Sequence, residues 1–236
     1  MLCHVNGVAF HGKLSAIWGG YLNFSLYIVY TIMEIHMAGQ VEFYFDYVSP
    51  MSYFGFHRVL DLQARTGCEI IWRPMFLGAV MKATGNRPPG VVEAKRNYFF
   101  VDTVRHAKRF DLPFTFNPHF PYDSRKALNI TASLLEDDAL IPFMKAMFHY
   151  SWGEPKNLAD EAVLRDVLTG EDFCTDQFIA RADATENTEI ISEFTKMALE
   201  HGIFGAPSFV VGNEMYFGQD RIDFVEDALT EKSWIR

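Results

Sequence analysis

The stretch VEFYFDYVSPMSYFG, Val41–Gly55, decides the fold. Its first part, Val41–Tyr47, is a run of β-branched and aromatic residues, which is the composition of a buried strand. Ser49 and Pro50 then begin a helix, because a serine hydroxyl caps free backbone N–H groups and proline suits the first helical position. The helix is predicted to end near Gly67. The sequence therefore predicts a serine hydroxyl at the point where a strand runs into a helix.

The N-terminus of that helix is a favourable place for an anion. Its first backbone N–H groups have no helical partner, and the helix dipole adds positive potential there. A thiolate, a carboxylate or a phosphate would be stabilised at this position. Because a capping serine needs no ligand to explain it, this stretch alone leaves both interpretations of Ser49 open.

Composition excludes several classes of function. The chain has 21 basic and 30 acidic side chains, a net charge of −9 and no long basic cluster, so we expect no nucleic-acid partner. The three cysteines, Cys3, Cys68 and Cys174, have no CxxC spacing, which predicts neither a zinc site nor a disulfide framework. A reducing, cytoplasmic environment is consistent with this cysteine usage. We therefore expect no metal site.

Residues 1–36 are predicted to be an N-terminal extension outside the fold. Leu14–Ile35 is mostly apolar with Glu34 as its only charge, which is long enough for a signal anchor or a spanning helix. Polar and glycine residues such as Asn23 weaken that interpretation, and Met37 offers a second start four residues before the first strand. A membrane anchor is therefore the minority interpretation.

The rest of the chain reads as one α/β domain interrupted by helices. Glu69–Arg73 is a second strand, and a strand–helix–strand unit of this length implies parallel pairing. Residues 91–201 are predicted to be an all-α insertion, and residues 37–90 and 202–236 the α/β domain. Predicted helices in the insertion are Glu93–Phe110, Ser124–Leu135, Ile141–Trp152, Ala159–Leu168 and Glu189–His201. After it come a hairpin of two short strands and a closing helix, Phe209–Val211, Glu214–Phe217 and Ile222–Thr230.

Three further clusters carry polar groups that suit a ligand. A cis peptide bond between Ala206 and Pro207 would leave the N–H and C=O of Ala206 free to pair with an extended peptide. The neighbouring charges of Asp220 and Arg221 suit the ammonium and carboxylate ends of a ligand. The third cluster is the segment that contains Lys82, Asn86 and Lys95. Each also has an ordinary explanation, respectively a strand-entry turn, a helix cap, and a turn residue beside solvated lysines.

The order of these elements resembles the thioredoxin fold with the helical insertion of DsbA and kappa-class glutathione transferases. Ser49-Pro50-Met51-Ser52 takes the place of their C-x-x-C or S-x-x-S motif, and Ala206-Pro207 that of their cis-proline loop. The chain is also similar to glutathione-dependent 2-hydroxychromene-2-carboxylate isomerases in three stretches, FYFDYVSPMSYFG, RPMFLGAVMKATGNRPPG and GIFGAPSFVVGNEMYFGQDRIDFVEDAL. The resemblance covers Met37 to about Trp234.

The resemblance implies glutathione as the cofactor and a small aromatic molecule as the substrate. It implies that Ser49 is catalytic and donates a hydrogen bond to the glutathione sulfur, with Ser52 in a secondary role. The residues that it implies for glutathione binding are Asn86, Lys95, Ala206, Pro207, Asp220 and Arg221. A kappa-like transferase or peroxidase and a non-catalytic thioredoxin-like binding module remain alternatives, and homodimerisation stays open.

Overall fold

The structure is a computed structural model that describes residues 39–230. The strands are β1 (Gln40–Phe45), β2 (Glu69–Pro74), β3 (Ser208–Val211) and β4 (Glu214–Phe217). The α-helices of the described chain are α1 (Pro50–Thr66), α2 (Leu77–Thr84), α3 (Glu93–Phe110), α4 (Arg125–Ala132), α5 (Leu140–Phe148), α6 (Glu161–Gly170), α7 (Thr175–Asp183), α8 (Thr185–Glu200) and α9 (Ile222–Thr230). Short helical turns add Pro89–Val91, His149–Gly153 and Gln219–Arg221.

The strands form one mixed sheet in the order β2-β1-β3-β4. β1 pairs with β2 in parallel and with β3 antiparallel, and β3 and β4 form an antiparallel hairpin. This topology confirms the predicted thioredoxin-like α/β fold with its parallel strand–helix–strand unit. Between α2 and β3 the regular structure is helical, as predicted for the insertion, while the domain boundaries at residues 90 and 202 stay predictions.

The predicted extension, residues 1–36, lies outside the described residues. Across residues 39–230, none of the helices has the length and apolar character needed to cross a bilayer. The membrane anchor that was weighed for Leu14–Ile35 therefore stays untested.

Several details differ from the sequence expectations, among them the end of the helix predicted over Ser124–Leu135, which stops at Ala132. β1 ends at Phe45 rather than Tyr47, because the carbonyl of Asp46 turns back to accept the N–H of Ser49 at 3.0 Å. The helix Thr175–Asp183 was not predicted, and the following helix starts at Thr185 rather than Glu189. Only short apolar stretches mark this region, so its helices depend on burial that the local pattern does not reveal.

Aromatic side chains hold the helical insertion against the sheet. Phe43 of β1 stacks on Phe209 of β3 with ring centroids 5.2 Å apart, in the centre of the core. The indole nitrogen of Trp152 donates to the carbonyl of Tyr47 at 2.8 Å, and the Tyr47 hydroxyl lies 2.6 Å from that of Thr131. The segment that leads into α1 is therefore fixed from the insertion side as well as from the sheet.

A glycine lets α1 lie directly on the loop before β3. A Cβ atom added at Gly55 would lie 3.0 Å from Cγ of Pro207 and 3.3 Å from Cε2 of Phe43. Real Cβ atoms rarely approach so closely, so a larger residue would push the helix or the proline away. Gly55 therefore sets the distance between the first turns of α1 and Pro207.

Asp46 ties together three segments at the carboxyl end of β1. One oxygen of its fully buried carboxyl accepts the N–H of Val48 at 3.1 Å and the hydroxyl of Ser124 at 2.6 Å. The other accepts the N–H of Leu77 at 2.9 Å. Burial raises the pKa of Asp46 to about 6, although these hydrogen bonds act in the opposite direction. The carboxyl thus links the turn before Ser49 to the starts of α2 and α4.

We expect Gly55→Ala to lower the free energy of unfolding by about 1 kcal/mol or more, because overpacking outweighs the better helix propensity of alanine. Urea unfolding measures this effect. The control is Gly170→Ala at the end of α6, where an added Cβ meets no atom within 4 Å. A Gly55→Ala protein as stable as the wild type would contradict the close contact.

The pKa of Asp46 predicts a pH dependence of stability. Since its pKa is about 6 in the folded chain and about 4 when unfolded, the native state binds more protons between these values. The contribution of the Asp46 carboxyl to the free energy of unfolding is therefore fully present below pH 4 and is lost as the pH rises through 6. The deficit of Asp46→Asn relative to wild type should shrink by up to about 3 kcal/mol between pH 4 and pH 7.

Urea unfolding at a series of pH values measures this deficit. The control is Asp138→Asn, which alters an exposed carboxyl and should keep the wild-type profile. A deficit that stays constant, or grows with pH, would show that the fold does not raise the pKa of Asp46.

Candidate functional site

The hydroxyl of Ser49 connects α1 to the loop before β3. It donates to the carbonyl oxygen of Ala206 at 3.0 Å and accepts the N–H of Ser52 at 3.2 Å. Ser49 caps α1 with an extended backbone, as the sequence predicted, and is 6% exposed. The structure thus brings a buried hydroxyl, the positive end of a 17-residue helix and the Ala206 backbone to one place.

The peptide bond between Ala206 and Pro207 is cis. The expectation that this bond leaves both polar groups of Ala206 free is wrong for the carbonyl, because the Ser49 hydroxyl already donates to it. The carbonyl of Pro207 accepts the N–H of Gly218 at 2.9 Å, which attaches the loop after β4 to the same place. Ser49, the cis-proline loop and the Gly218 loop therefore form one connected unit.

Asp220 and Arg221 lie in the short turn that follows Gly218. The two side chains are 55% and 48% exposed, and Arg221 donates to the carboxylate of Asp220 at 2.7 Å. Gly218 has a φ of 102°, and an added Cβ would lie 2.6 Å from the Asp220 carboxylate, so glycine is needed here. The structure places this pair beside the cis-proline loop, where each charge has the other as its partner.

Asn86 is attached to the same loop, whereas Lys95 stands apart. The Asn86 amide donates to the carbonyl of Phe204 at 2.7 Å, two residues before Ala206. Lys95 lies in the first turn of α3 and is exposed, and it forms no ion pair within residues 39–230. Hydrogen bonds therefore link Ser49 and Asn86 to the cis-proline loop, and Gly218 links the Asp220–Arg221 turn to it. Lys95 has no such link among residues 39–230.

Ser52 is buried beside Ser49, and its hydroxyl has no hydrogen-bond partner in the described part of the chain. An unpaired buried hydroxyl costs about 1–3 kcal/mol, so native proteins rarely retain one without a reason. Because Ser52 is fully enclosed, the groups that suit a bound thiol compound here are the Ser49 hydroxyl and the positive N-terminal end of α1.

Two functional neighbours were missed by the sequence reasoning. Asp46 fixes the turn before Ser49, and the signal for it was an acidic residue inside a strongly apolar stretch. Gln219 is 3% exposed directly before the exposed charged pair Asp220 and Arg221, and no local pattern distinguishes it from them. Each also has partners that are distant in the sequence, Ser124 for Asp46 and His106 for Gln219.

The other possible sites in the described part of the chain are separate from the unit around Ser49. Two clefts of about 480 Å³ each lie elsewhere, one beside Phe76 and Arg125 and one beside His57 and Lys145, and neither is lined by Ser49. Among residues 39–230 no group of histidine, cysteine or acidic side chains is placed to hold a metal ion. The connected unit around Ser49 is therefore the candidate site.

Known proteins share this architecture. A family model described as a DSBA-like thioredoxin domain matches residues 40–230. The 2-hydroxychromene-2-carboxylate isomerase of Pseudomonas sp. (strain C18) is 30% identical over 197 residues, which cover 80% of this chain and 89% of that protein. Glutathione S-transferase kappa 1 of Caenorhabditis elegans is 29% identical, over 81% of this chain and 91% of that protein.

A solved structure of 2-hydroxychromene-2-carboxylate isomerase agrees with the sequence relatives. It is similar to this chain with a TM-score of 0.71 and 28% identity, over 81% of this chain and 94% of that one. The resemblance inferred from the three sequence stretches is thereby confirmed. This chain belongs to the family of DSBA-like thioredoxin domains.

Proposed function

We propose that this chain is a glutathione-dependent isomerase that converts 2-hydroxychromene-2-carboxylate to trans-o-hydroxybenzylidenepyruvate in aromatic catabolism. The observation that carries the proposal is the Ser49 hydroxyl, held between the N-terminus of α1 and the cis-proline loop. Relatives of both the isomerase and the kappa transferase type support a thiol-dependent reaction at such a site.

The thiol has to come from outside the chain. Serine occupies both positions of the motif, so the side chains at this site cannot cycle between dithiol and disulfide. Cys68 is buried just after the C-terminal end of α1, Cys174 is exposed before α7, and Cys3 lies outside the described residues. Bound glutathione would supply the thiolate nucleophile, which adds to the conjugated substrate and leaves after the bond rotation, so that it is regenerated in each turnover.

Ser49 would hold the sulfur in its ionised form. Its hydroxyl hydrogen would turn from the Ala206 carbonyl to the sulfur, and the N-terminus of α1 would add positive potential. Both interactions favour the thiolate over the thiol and lower the thiol pKa. The same rotation would release the Ala206 carbonyl, which explains how a group that is occupied in this structure can serve a ligand.

The remaining residues would hold the ends of glutathione. The N–H and released carbonyl of Ala206, which cis-Pro207 orients, would pair with the cysteinyl backbone. Asp220 would accept from the γ-glutamyl ammonium, and Arg221 would donate to the adjacent carboxylate. These roles require the Asp220–Arg221 ion pair to exchange partners, which its exposure permits.

Two residues complete the proposed site at its outer side. Lys95 would reach the glycyl carboxylate, and the Asn86 amide, now bound to Phe204, would border the pocket. Ser52 would gain a partner for its buried hydroxyl when the sulfur is in place.

A kappa-like glutathione transferase or peroxidase is the second candidate, supported by the kappa relatives. Both reactions use the same thiolate, but a transferase consumes glutathione and an isomerase does not. Mass spectrometry of glutathione before and after turnover of 2-hydroxychromene-2-carboxylate separates them. Absence of any glutathione binding in a titration would instead favour a non-catalytic binding module.

A cytoplasmic location and a homodimer complete the proposal. The cytoplasm supplies reduced glutathione, and fractionation of cells that express the full chain tests the location. Exposed apolar side chains of α3, Tyr98 at 63% and Val101 at 52%, are where we would look for a second copy. Light scattering on the purified chain measures the oligomeric state.

We expect Ser49→Ala to lower the glutathione-dependent isomerisation rate by roughly 10²–10³, because one hydrogen bond to a held anion is lost. Steady-state kinetics with 2-hydroxychromene-2-carboxylate measure the rate. The control is Ser133→Ala at the end of α4, whose hydroxyl also donates to a backbone carbonyl, that of Ile130, at 2.7 Å. A Ser49→Ala rate within about threefold of wild type would reject this role for Ser49.

A further inference from the structure

The side chain of Gln219 is buried where three elements of the proposed site meet. It is 3% exposed, although Asp220 and Arg221 next to it are about half exposed. Its amide takes no part in the proposed reaction. A buried amide keeps its place when its hydrogen-bonding groups are satisfied, so its partners indicate what it does.

The backbone and side-chain oxygens of Gln219 both contact an arginine of α1. Nη1 of Arg58 donates to the Gln219 backbone carbonyl and lies 3.3 Å from its side-chain oxygen Oε1. Nη2 of the same arginine pairs with Asp223 at 3.0 Å, at the start of α9. Arg58 therefore fixes the turn that carries Asp220 against the helix that Ser49 caps.

The donor side of Gln219 is joined to α3. Its amide nitrogen Nε2 lies 3.1 Å from both ring nitrogens of His106. The His106 ring stacks on Phe110, with centroids 5.8 Å apart and planes at 9°, and its Nε2 lies 3.3 Å from Asp102. The amide thus attaches the Asp220 turn to the C-terminal half of α3.

Helix geometry relates this contact to Lys95. Lys95 lies eleven residues before His106. Eleven residues rotate a helix by about three turns and advance it by about 16 Å, so both side chains lie on nearly the same face. Phe99 and Asp102 on that face are half-buried, whereas residues 87–98 are exposed. Lys95 therefore shares a helix face with the half-buried side chains of Phe99, Asp102 and His106.

We propose that Gln219 is a positioning residue that joins the Asp220 turn to α3 and thereby sets where Lys95 stands relative to Asp220. This inference rests on the proposed function, since it assigns Lys95 and Asp220 to opposite ends of glutathione. The two ends of the site are then held at a fixed separation before the ligand arrives. Such preorganisation raises affinity because less order has to be imposed on binding.

The test replaces Gln219 by methionine, which keeps the length of the side chain and removes the amide. Gln219→Met should raise the Kd and KM for glutathione about tenfold. It should leave kcat at saturating glutathione within about twofold, because Ser49 is untouched. The control is Gln63→Met, which removes a half-buried amide that donates to Cys68 at 3.2 Å near the far end of α1 and should leave Kd unchanged.

A double-mutant cycle distinguishes positioning from a general structural effect. Lys95→Ala should raise the Kd in the wild-type background and raise it clearly less in the Gln219→Met background, since the two residues act together. His106→Phe, which keeps the ring on Phe110, should raise Kd as Gln219→Met does. Calorimetric titration with glutathione measures each Kd.

These experiments separate a failure of this inference from a failure of the proposed function. Unchanged Kd values in both Gln219→Met and His106→Phe, or additive effects of Gln219→Met and Lys95→Ala, would overturn the inference while the wild type still binds glutathione. A wild-type chain that does not bind glutathione would overturn the proposed function and this inference together.

Discussion

The hydrogen bond from the Ser49 hydroxyl to the carbonyl of Ala206 is the interaction on which the rest of the site depends. It joins residues that are 157 positions apart, and it lies where the N-terminus of α1 meets the cis-proline loop. Gly55 permits this approach because a side chain there would collide with Pro207. The fold thus brings a capping serine, which is ordinary by itself, against a backbone that is suited to bind a peptide-like ligand.

The surroundings of this bond show how the fold supports a site without supplying the reactive atom. Asp46 holds the turn before Ser49, and Gly218 attaches the turn of Asp220 to Pro207. The hydroxyl of Ser52, buried next to Ser49, has no hydrogen-bond partner in the described part of the chain. The scaffold is therefore fixed by internal contacts, and in the proposed reaction the nucleophilic sulfur would come from bound glutathione.

Much of this arrangement follows from local sequence. The strand that precedes Ser49, the cap at Ser49 and the hairpin at β3 and β4 are set by β propensity, capping and turn residues, which act within a few positions. The order of these elements was enough to identify the fold. The ends of elements were less accurate, because turn hydrogen bonds such as that from the Ser49 N–H to the Asp46 carbonyl decide where a strand stops.

What the sequence could not predict depends on contacts between distant residues. The carbonyl of Ala206 is occupied because Ser49 reaches it, and nothing near Ala206 in the sequence indicates this. Gln219 and His106 lie 113 positions apart, and their contact appears only when α3 is packed. The helix predicted over Glu93–Phe110 is present, yet its apolar side chains Tyr98 and Val101 face outward. Helical periodicity shows which residues share one face of a helix, but only tertiary packing determines whether that face is buried.

The most direct test of the central claim is the thiol pKa of glutathione bound to the wild-type chain. Thiolate absorbance can be titrated against pH in the complex and for free glutathione. We predict a bound pKa lower than that of an ordinary thiol, which is about 8.5, by about one unit or more. A bound thiol that titrates like free glutathione would contradict the claim that Ser49 and the N-terminus of α1 hold a thiolate.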